Sequence, residues 1–156
     1  MQHEPKAASM STEHHHITPV SLPPESAIAK AYASMNLADA YSIELPTGAS
    51  TNPELLARFI FARQAPGISI VKDHTTSPTE VVLGENDKHL DFRLSVLCSG
   101  QSSPGAKRHL ILSTVVHCHN RLGRLYISLI APFHRIVVQS NLRSAAMVGW
   151  PSATEA

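Results

Sequence analysis

The chain has 156 residues, of which 43% are hydrophobic and 16% are charged, and its formal net charge is +1. These values are typical of one soluble globular domain and exclude the basic composition of a nucleic-acid-binding protein. No segment has the roughly 20 consecutive apolar residues of a membrane span. The N-terminus has no apolar signal-peptide core, and Cys98 and Cys118 are too few for a disulfide framework. We therefore expect a cytoplasmic protein with reduced thiols.

Charged residues are unevenly distributed along the chain. No Asp or Glu lies between Phe92 and Thr154, where seven Lys and Arg residues are found, and the acidic residues of the first part run from Glu4 to Asp91. Two interpretations follow. Either the two parts neutralise each other in the folded domain, or the second part presents a basic face to an anionic ligand, a lipid surface or an acidic partner.

The composition divides the chain into one domain and two tails. Residues 1–16 are polar and patternless and are predicted to be a disordered N-terminal tail, residues 17–150 form a single domain, and residues 151–156 are a second disordered tail. The first tail ends in three consecutive histidines, His14–His16. Adjacent side chains in a flexible segment chelate a metal poorly, so we assign them no function.

The first predicted elements are short. The helical spacing of apolar residues predicts a helix over Ser26–Asn36, and strict alternation of apolar and polar residues predicts a half-buried strand over Ala38–Leu45. Asn52 as N-cap, with Pro53 at the first helical position, begins a helix that runs to about Arg63. Its inward side chains are expected to be Leu55, Leu56, Phe59 and Ile60.

A series of strands follows. Ile68–Lys72 and Glu80–Leu83 are predicted to be short strands, and Gly84–Asp87 is predicted to be a turn. His89–Cys98 is the clearest strand of the chain. Arg108–His119 is richer in β-branched residues, which is typical of a central strand.

The last two strands are predicted to form a hairpin centred near Ser102 and Ser103. One face of the first strand carries Leu90, Phe92, Leu94, Val96 and Cys98. In this register His89 lies opposite His117. Cys98 and Cys118 then lie on the order of 33 Å apart, too far for a disulfide, and are interpreted as small buried hydrophobic residues.

The stretch Asn120–Met147 is predicted to be one long helix with a broad apolar arc. At 100° per residue the arc contains Leu122, Leu125, Tyr126, Leu129, Ile130, Phe133, Ile136 and Val137. Pro132 lies on the opposite, polar side and is expected to curve the helix. We expect the arc to pack on the sheet. The predicted fold is α+β, a helix-grip-like curved antiparallel sheet covered by a long C-terminal helix.

Four segments resemble an uncharacterised, mainly bacterial family of domains of unknown function. They are LADAYSIELP (Leu37–Pro46), VVLGENDKHLDFRLSV (Val81–Val96), TVVHCHNRLGRLY (Thr114–Tyr126) and APFHR (Ala131–Arg135). The family is similar to the helix-grip, START-like (SRPBCC) superfamily of small-ligand binders and cyclase-like enzymes, and some members follow an NAD(P)-binding Rossmann domain. The resemblance implies a fold rather than an activity. It also implies a further helical stretch after the first long helix, which the short connection Arg63–Gly67 here lacks.

Four residues are the candidates for lining a ligand pocket between helix and sheet. Tyr126 has a hydroxyl that would need a partner in an apolar groove, and His134 could act as an acid or base near neutral pH. Phe92 and Thr114 are expected on the inner face of the sheet. The alternative is that Tyr126 is a core residue with its hydroxyl at the rim and that His134 lies at the surface edge.

Other polar residues are interpreted more simply. The outer face of the hairpin carries His89, Asp91, Arg93, His117 and His119. This set could hold Zn²⁺, but a solvated or ion-paired face is the more frequent outcome, so no metal and no cofactor is predicted. Arg124 and Arg135 share a helix face and could clamp a carboxylate, although such residues are more often the solvated back of an amphipathic helix.

Three hypotheses on function remain open. The first is a domain that binds a small hydrophobic or amphipathic ligand between sheet and helix. The second is a cyclase-, dehydratase- or isomerase-like enzyme that uses the same cleft, with His134 or Tyr126 as general acid or base. The third is an interaction module, a homodimer for example, in which the cleft is vestigial. A filled core with a large exposed apolar patch would favour the third hypothesis.

Overall fold

The computed structural model describes residues 15–62, 75–100 and 105–155 and shows an α+β fold. The strands are β1 (Thr18–Val20), β2 (Leu37–Leu45), β3 (Thr75–Thr76), β4 (Glu80–Asn86), β5 (Leu90–Ser99) and β6 (Arg108–Cys118). The helices are α1 (Pro53–Phe61) and α2 (Arg121–Val148), with short 3-10 helices at Ala27–Lys30 and Ala153–Glu155. The predicted combination of an open antiparallel sheet with a long C-terminal helix is confirmed.

The described strands form one antiparallel sheet in the order β1-β2-β6-β5-β4-β3. In the β5–β6 hairpin Asp91 lies opposite His117, so the predicted pairing of His89 with His117 is wrong by two residues. An even shift leaves every side chain on its expected face, because strand side chains alternate with a period of two. Cys98 and Cys118 are both free and lie eight residues apart along the ladder, about 27 Å.

Local chemistry explains where the helices begin. The Asn52 side chain accepts hydrogen bonds from the backbone N–H groups of Glu54 and Leu55, and Pro53 has no N–H to satisfy, so α1 begins there. The Asn120 side chain caps α2 in the same way by accepting from Gly123 N. Both long helices therefore begin where their sequences predict.

Two predicted elements differ from the structure. The helix expected over Ser26–Asn36 is only a single 3-10 turn, because Asn36 already hydrogen-bonds Val116 and Cys118 at the edge of the sheet. The turn expected at Gly84–Asp87 begins later, because β4 continues to Asn86 in register with β5.

Three further expectations concern regions at the margins of the described chain. The predicted strand Ile68–Lys72, the short connection Arg63–Gly67 and residues 1–14 of the predicted tail lie outside the described residues. The C-terminal segment predicted as a tail is hydrogen-bonded where it is described: Ser50 N donates to Pro151 O, and Ala153 N donates to the Gly48 carbonyl.

The two faces of the sheet are covered differently. On one face α1 and the second half of α2 pack against alternate residues of β2, β4, β5 and β6 and build the main core. On the other face the 3-10 turn places Ile28 against Val82 and Val115. Glu80 is buried on that side, where its carboxylate accepts hydrogen bonds from the hydroxyls of Ser26 and Ser95.

Helix α2 contacts the domain through a stripe of nine residues, four of which are Gly or Ala. This inner stripe consists of Gly123, Ile127, Ala131, His134, Val138, Asn141, Leu142, Ala145 and Ala146. Most neighbours in this stripe are three or four residues apart, which matches the helical repeat. The same side of this 28-residue helix therefore faces the domain along its length. At its N-terminal end Gly123 allows the helix to approach closely, since a Cβ there would lie 2.3 Å from the His89 carbonyl oxygen.

The orientation of α2 contradicts the expectation from its apolar arc. The eight arc residues, Leu122, Leu125, Tyr126, Leu129, Ile130, Phe133, Ile136 and Val137, are all exposed. The centres of the arc and of the inner stripe are separated by roughly 140° on the helical wheel. The helix therefore packs on the sheet, but by a different side from the one expected.

Candidate functional site

The arc residues of α2 form the most unusual surface of the protein, here called the outer face. Among the described residues, all ten large hydrophobic side chains classed as exposed lie on α2: eight are those of the outer face, and Met147 and Val148 extend it beyond Ser140 and Ser144. Single exposed apolar residues are normal on protein surfaces, but a contiguous set marks a binding surface or an aggregation site.

The size of the outer face can be compared with ordinary surfaces. The eight large side chains of the outer face are 37–67% exposed and present on the order of 1,000 Å² of apolar area. The largest apolar patch of a typical monomer measures about 300–600 Å². The outer face is therefore larger than a solvated monomer normally carries.

Arginines occupy the third side of α2. Arg121, Arg124, Arg135 and Arg143 are exposed and follow one another along the helix, beside Ser128 and Pro132. The helix has no acidic residue, and the only carboxylate near this flank among the described salt bridges is Asp39, with its Oδ2 4.0 Å from Arg135 Nε. The outer face thus lies between a cationic flank and the body of the domain.

A small polar cluster lies under α2, on its inner side. His134 Nε2 is 3.5 Å from Asp39 Oδ1, and Thr114 is the register partner of Asp39 on the neighbouring strand. Both Asp39 oxygens, the Thr114 hydroxyl and His134 Nε2 are buried and have no hydrogen-bond partner in the described structure. Buried polar atoms of this kind are normally satisfied by water or a ligand.

The four predicted pocket residues are divided between two sides of α2. Phe92 and Thr114 lie on the helix-facing side of the sheet, and His134 faces that side from the inner stripe of α2. Tyr126 does not join them, since it is 54% exposed on the outer face. The expectation that Tyr126 faces the sheet is therefore wrong, whereas ligand binding by the other three stays a prediction.

Apolar side chains pack between α2 and the sheet on both sides of this polar cluster. Val138 and Leu142 pack into the main core, and Ile127 and Ala131 pack with Phe92 in a second cluster. Two surface depressions of about 540 Å³ each lie elsewhere. One is lined by β1, β2 and His109, and the other by the start of α1 with Ser77 and Pro78. Neither includes a predicted pocket residue.

The polar face of the hairpin is a network of internal contacts. His119 Nε2 lies 2.9 Å from Asp91 Oδ1. His117 stacks on Tyr32, and its Nδ1 donates to the Ser34 backbone carbonyl at 2.9 Å. Arg93 lies over the Tyr32 ring. Within residues 15–62, 75–100 and 105–155 no group of three or more His, Cys, Asp or Glu side chains is placed to hold a metal ion.

The two cysteines are buried at opposite ends of the hairpin. Burial raises the pKa of the Cys98 thiol to about 11, an effect that the positive charge of Arg108 partly offsets. Burial also raises the pKa of Cys118, and Arg124 acts in the opposite direction. Both thiols are therefore protonated and unreactive near neutral pH, as expected of structural cysteines.

Sequence reasoning missed Asp39, although a signal for it was present. Asp39 shares the inward parity of Tyr41, Ile43 and Leu45 on β2, and a carboxylate at an inward position of a strand is unusual. It also missed Glu80, whose burial has no local signal, because it depends on partners 15 and 54 residues away.

Comparison with known proteins gives one match. A family model described as "Protein of unknown function (DUF2867)" matches residues 66–141, slightly under half of the chain, and this range contains three of the four segments that carry the family resemblance. No curated protein and no solved structure shows a significant match. In the described residues no helix is long and apolar enough to cross a membrane.

Proposed function

We propose that this protein is an interaction module that forms a homodimer by pairing the outer face of α2 with the same face of a second copy. The single observation that carries the proposal is the exposure of all eight arc residues on one side of a well-anchored helix. The anchoring matters, because α2 is held by its inner stripe and leaves this face free for another molecule.

The area of the outer face supports a second copy as the occupant. Stable protein–protein interfaces bury about 800 Å² on each partner, and closed two-fold dimers are the most frequent oligomers. An apolar surface on the order of 1,000 Å² per chain meets this requirement without any further contact. The same helix supplies both halves of the interface, as an isologous dimer requires.

The two hypotheses that use the cleft between sheet and helix are less well supported. Val138, Leu142, Ile127 and Ala131 pack in the interface on both sides of the Asp39–His134 cluster, and Tyr126 points away from it. Neither of the two surface depressions includes Thr114 or His134. The helix-grip relationship remains a prediction from the sequence.

Charge reversal on the outer face tests the proposal. Leu129→Glu and Phe133→Glu each place two carboxylates in the two-fold interface, where burial of an unpaired charge costs several kcal/mol. We expect the dimer dissociation constant, measured by sedimentation velocity, to rise at least ~100-fold. Ser128→Glu introduces the same charge on the arginine side of the same helix and is expected to leave the dimer intact.

The salt dependence of binding distinguishes self-association from binding to an anionic partner. An apolar dimer should persist at about 1 M NaCl, whereas binding to an anionic surface through the arginine flank would be screened. A chain that is monomeric at tens of micromolar, and that binds vesicles containing phosphatidylserine only at low salt, would overturn the proposal.

A further inference from the structure

Resting on the proposed self-association, we infer that the two copies of α2 pair antiparallel, with the two-fold axis passing beside Leu129. The inference comes from the exposure of individual side chains along the outer face. Between Leu122 and Val137 the five most exposed large hydrophobic residues, at 58–67%, are Leu122, Leu125, Leu129, Phe133 and Ile136.

These five positions are symmetric about Leu129. Leu125 and Phe133 lie four residues from it in opposite directions, and Leu122 and Ile136 lie seven residues from it. Consider an antiparallel helix pair with a two-fold axis perpendicular to both helices. A residue a given number of positions before the axis on one helix then contacts the residue the same number of positions after the axis on the other helix. The pairs are then Leu122 with Ile136, Leu125 with Phe133, and Leu129 with its own copy.

The spacing also suits close helix packing. Intervals of three, four, four and three residues keep the contact line on one side of the helix, as in pairs that cross at about 20° with axes 8–10 Å apart. A parallel pair would place every residue opposite its own copy and would give no reason for a spacing that is symmetric about one leucine. Antiparallel helices also align their dipoles favourably.

The flanks of α2 are compatible with this arrangement. The arginine flank is roughly 90° from the contact line, so a two-fold axis that lies in the interface and perpendicular to the helices keeps both arginine flanks on one side of the pair. The inner stripe is roughly 170° from the contact line, so the two sheets lie on the far sides of the helix pair and do not meet. Pro132 lies on the arginine side and does not enter the contact line.

Cysteine crosslinking tests the axis position. Leu129→Cys in the full chain should form an intermolecular disulfide under mild oxidation, because the two thiols meet at the axis. Leu122→Cys should not, since its two copies would be separated by about 21 Å along the helices. A mixture of the Leu122→Cys and Ile136→Cys chains should form a disulfide between the two different chains. The unmodified chain is the control, because Cys98 and Cys118 are buried.

The outcomes distinguish this inference from the proposal on which it rests. Efficient crosslinking of Leu122→Cys with itself would show a parallel pair and would overturn the inference while leaving a dimer. Failure of every variant to crosslink in a chain that sediments as a dimer would place the interface elsewhere and overturn both. A monomer by sedimentation would overturn the self-association itself.

Discussion

Ile127 and Phe133 lie fewer than two turns apart on α2, yet Ile127 is 8% exposed and Phe133 is 67% exposed. The smaller of the two apolar side chains contacts the sheet, and the larger one faces solvent. The hydrophobic effect would favour the reverse arrangement in a lone chain, since burial of a Phe side chain contributes about 2–3 kcal/mol. The arrangement is reasonable if a second molecule buries the Phe133 side.

The contact between Gly123 and His89 predicts a loss of stability in Gly123→Ala. The added Cβ would lie 2.3 Å from the His89 carbonyl oxygen, which also accepts a hydrogen bond from His119 N and cannot move freely. Overpacking costs about 1–3 kcal/mol and outweighs the roughly 1 kcal/mol that Ala gains over Gly in a helix. Urea unfolding at fixed protein concentration should show a lower midpoint. Ser128→Ala on the exposed side is the control and should change stability by less than ~0.5 kcal/mol.

The buried carboxylate of Glu80 predicts a loss of stability in Glu80→Gln. One oxygen accepts from the Ser26 and Ser95 hydroxyls and the other from the Ala27 N–H. An amide that keeps its oxygen on Ala27 N–H turns its NH2 toward both serines, so the two hydroxyl-to-carboxylate bonds are lost and both hydroxyls must reorient to accept. We expect a loss of about 2 kcal/mol by thermal or urea unfolding. The exposed Glu85→Gln should be neutral, and equal stability of the two variants would show that the Glu80 contacts are weak.

The Asp39–His134 pair predicts a non-additive double substitution. His134→Leu would leave the Asp39 carboxylate buried without its nearest polar neighbour and should cost about 1–3 kcal/mol. The double variant Asp39→Leu/His134→Leu removes both polar groups and should recover most of that loss. A double variant less stable than either single variant would instead indicate that the polar cluster holds α2 on the sheet.

Cys98 predicts a loss of stability at alkaline pH. Burial raises the pKa of its thiol from 9.0 to about 11, so in this interval the unfolded chain releases the proton more readily than the folded chain. The contribution of the Cys98 thiol to the free energy of unfolding is present below pH 9. It declines by roughly 2–3 kcal/mol in total as the pH rises toward 11. Cys98→Val should flatten the fall of the unfolding free energy with pH relative to the unsubstituted chain. Identical slopes would refute this assignment.

Much of the fold follows from local patterns in the sequence. The alternation in β2 and β5 places Tyr41, Ile43 and Val96 in the core as expected, and Asn52 and Asn120 begin both helices. Even the two-residue error in the β5–β6 register leaves these faces unchanged. Such features depend on neighbours along the chain and are therefore readable from it.

The side of α2 that packs on the sheet could not be predicted from local sequence patterns. Periodicity shows that its apolar residues share a side, but not whether that side meets the same chain or another one. Gly123 is one determinant that lies outside the apolar pattern, because a Cβ there would lie 2.3 Å from the His89 carbonyl oxygen and hold this side of the helix away from the domain. For the same reason, the sequence pattern wrongly predicted that Tyr126 lies beside His134 and gave no prediction for Asp39. Contacts between different elements depend on tertiary packing.

The mass of the chain in solution tests the account most directly. Sedimentation equilibrium of the 156-residue chain at micromolar concentration should give twice the mass of one chain in both 0.15 M and about 1 M NaCl, because the proposed interface is apolar. A single-chain mass at tens of micromolar in both salts would contradict the account, since the outer face of α2 would then be stable in water without a partner.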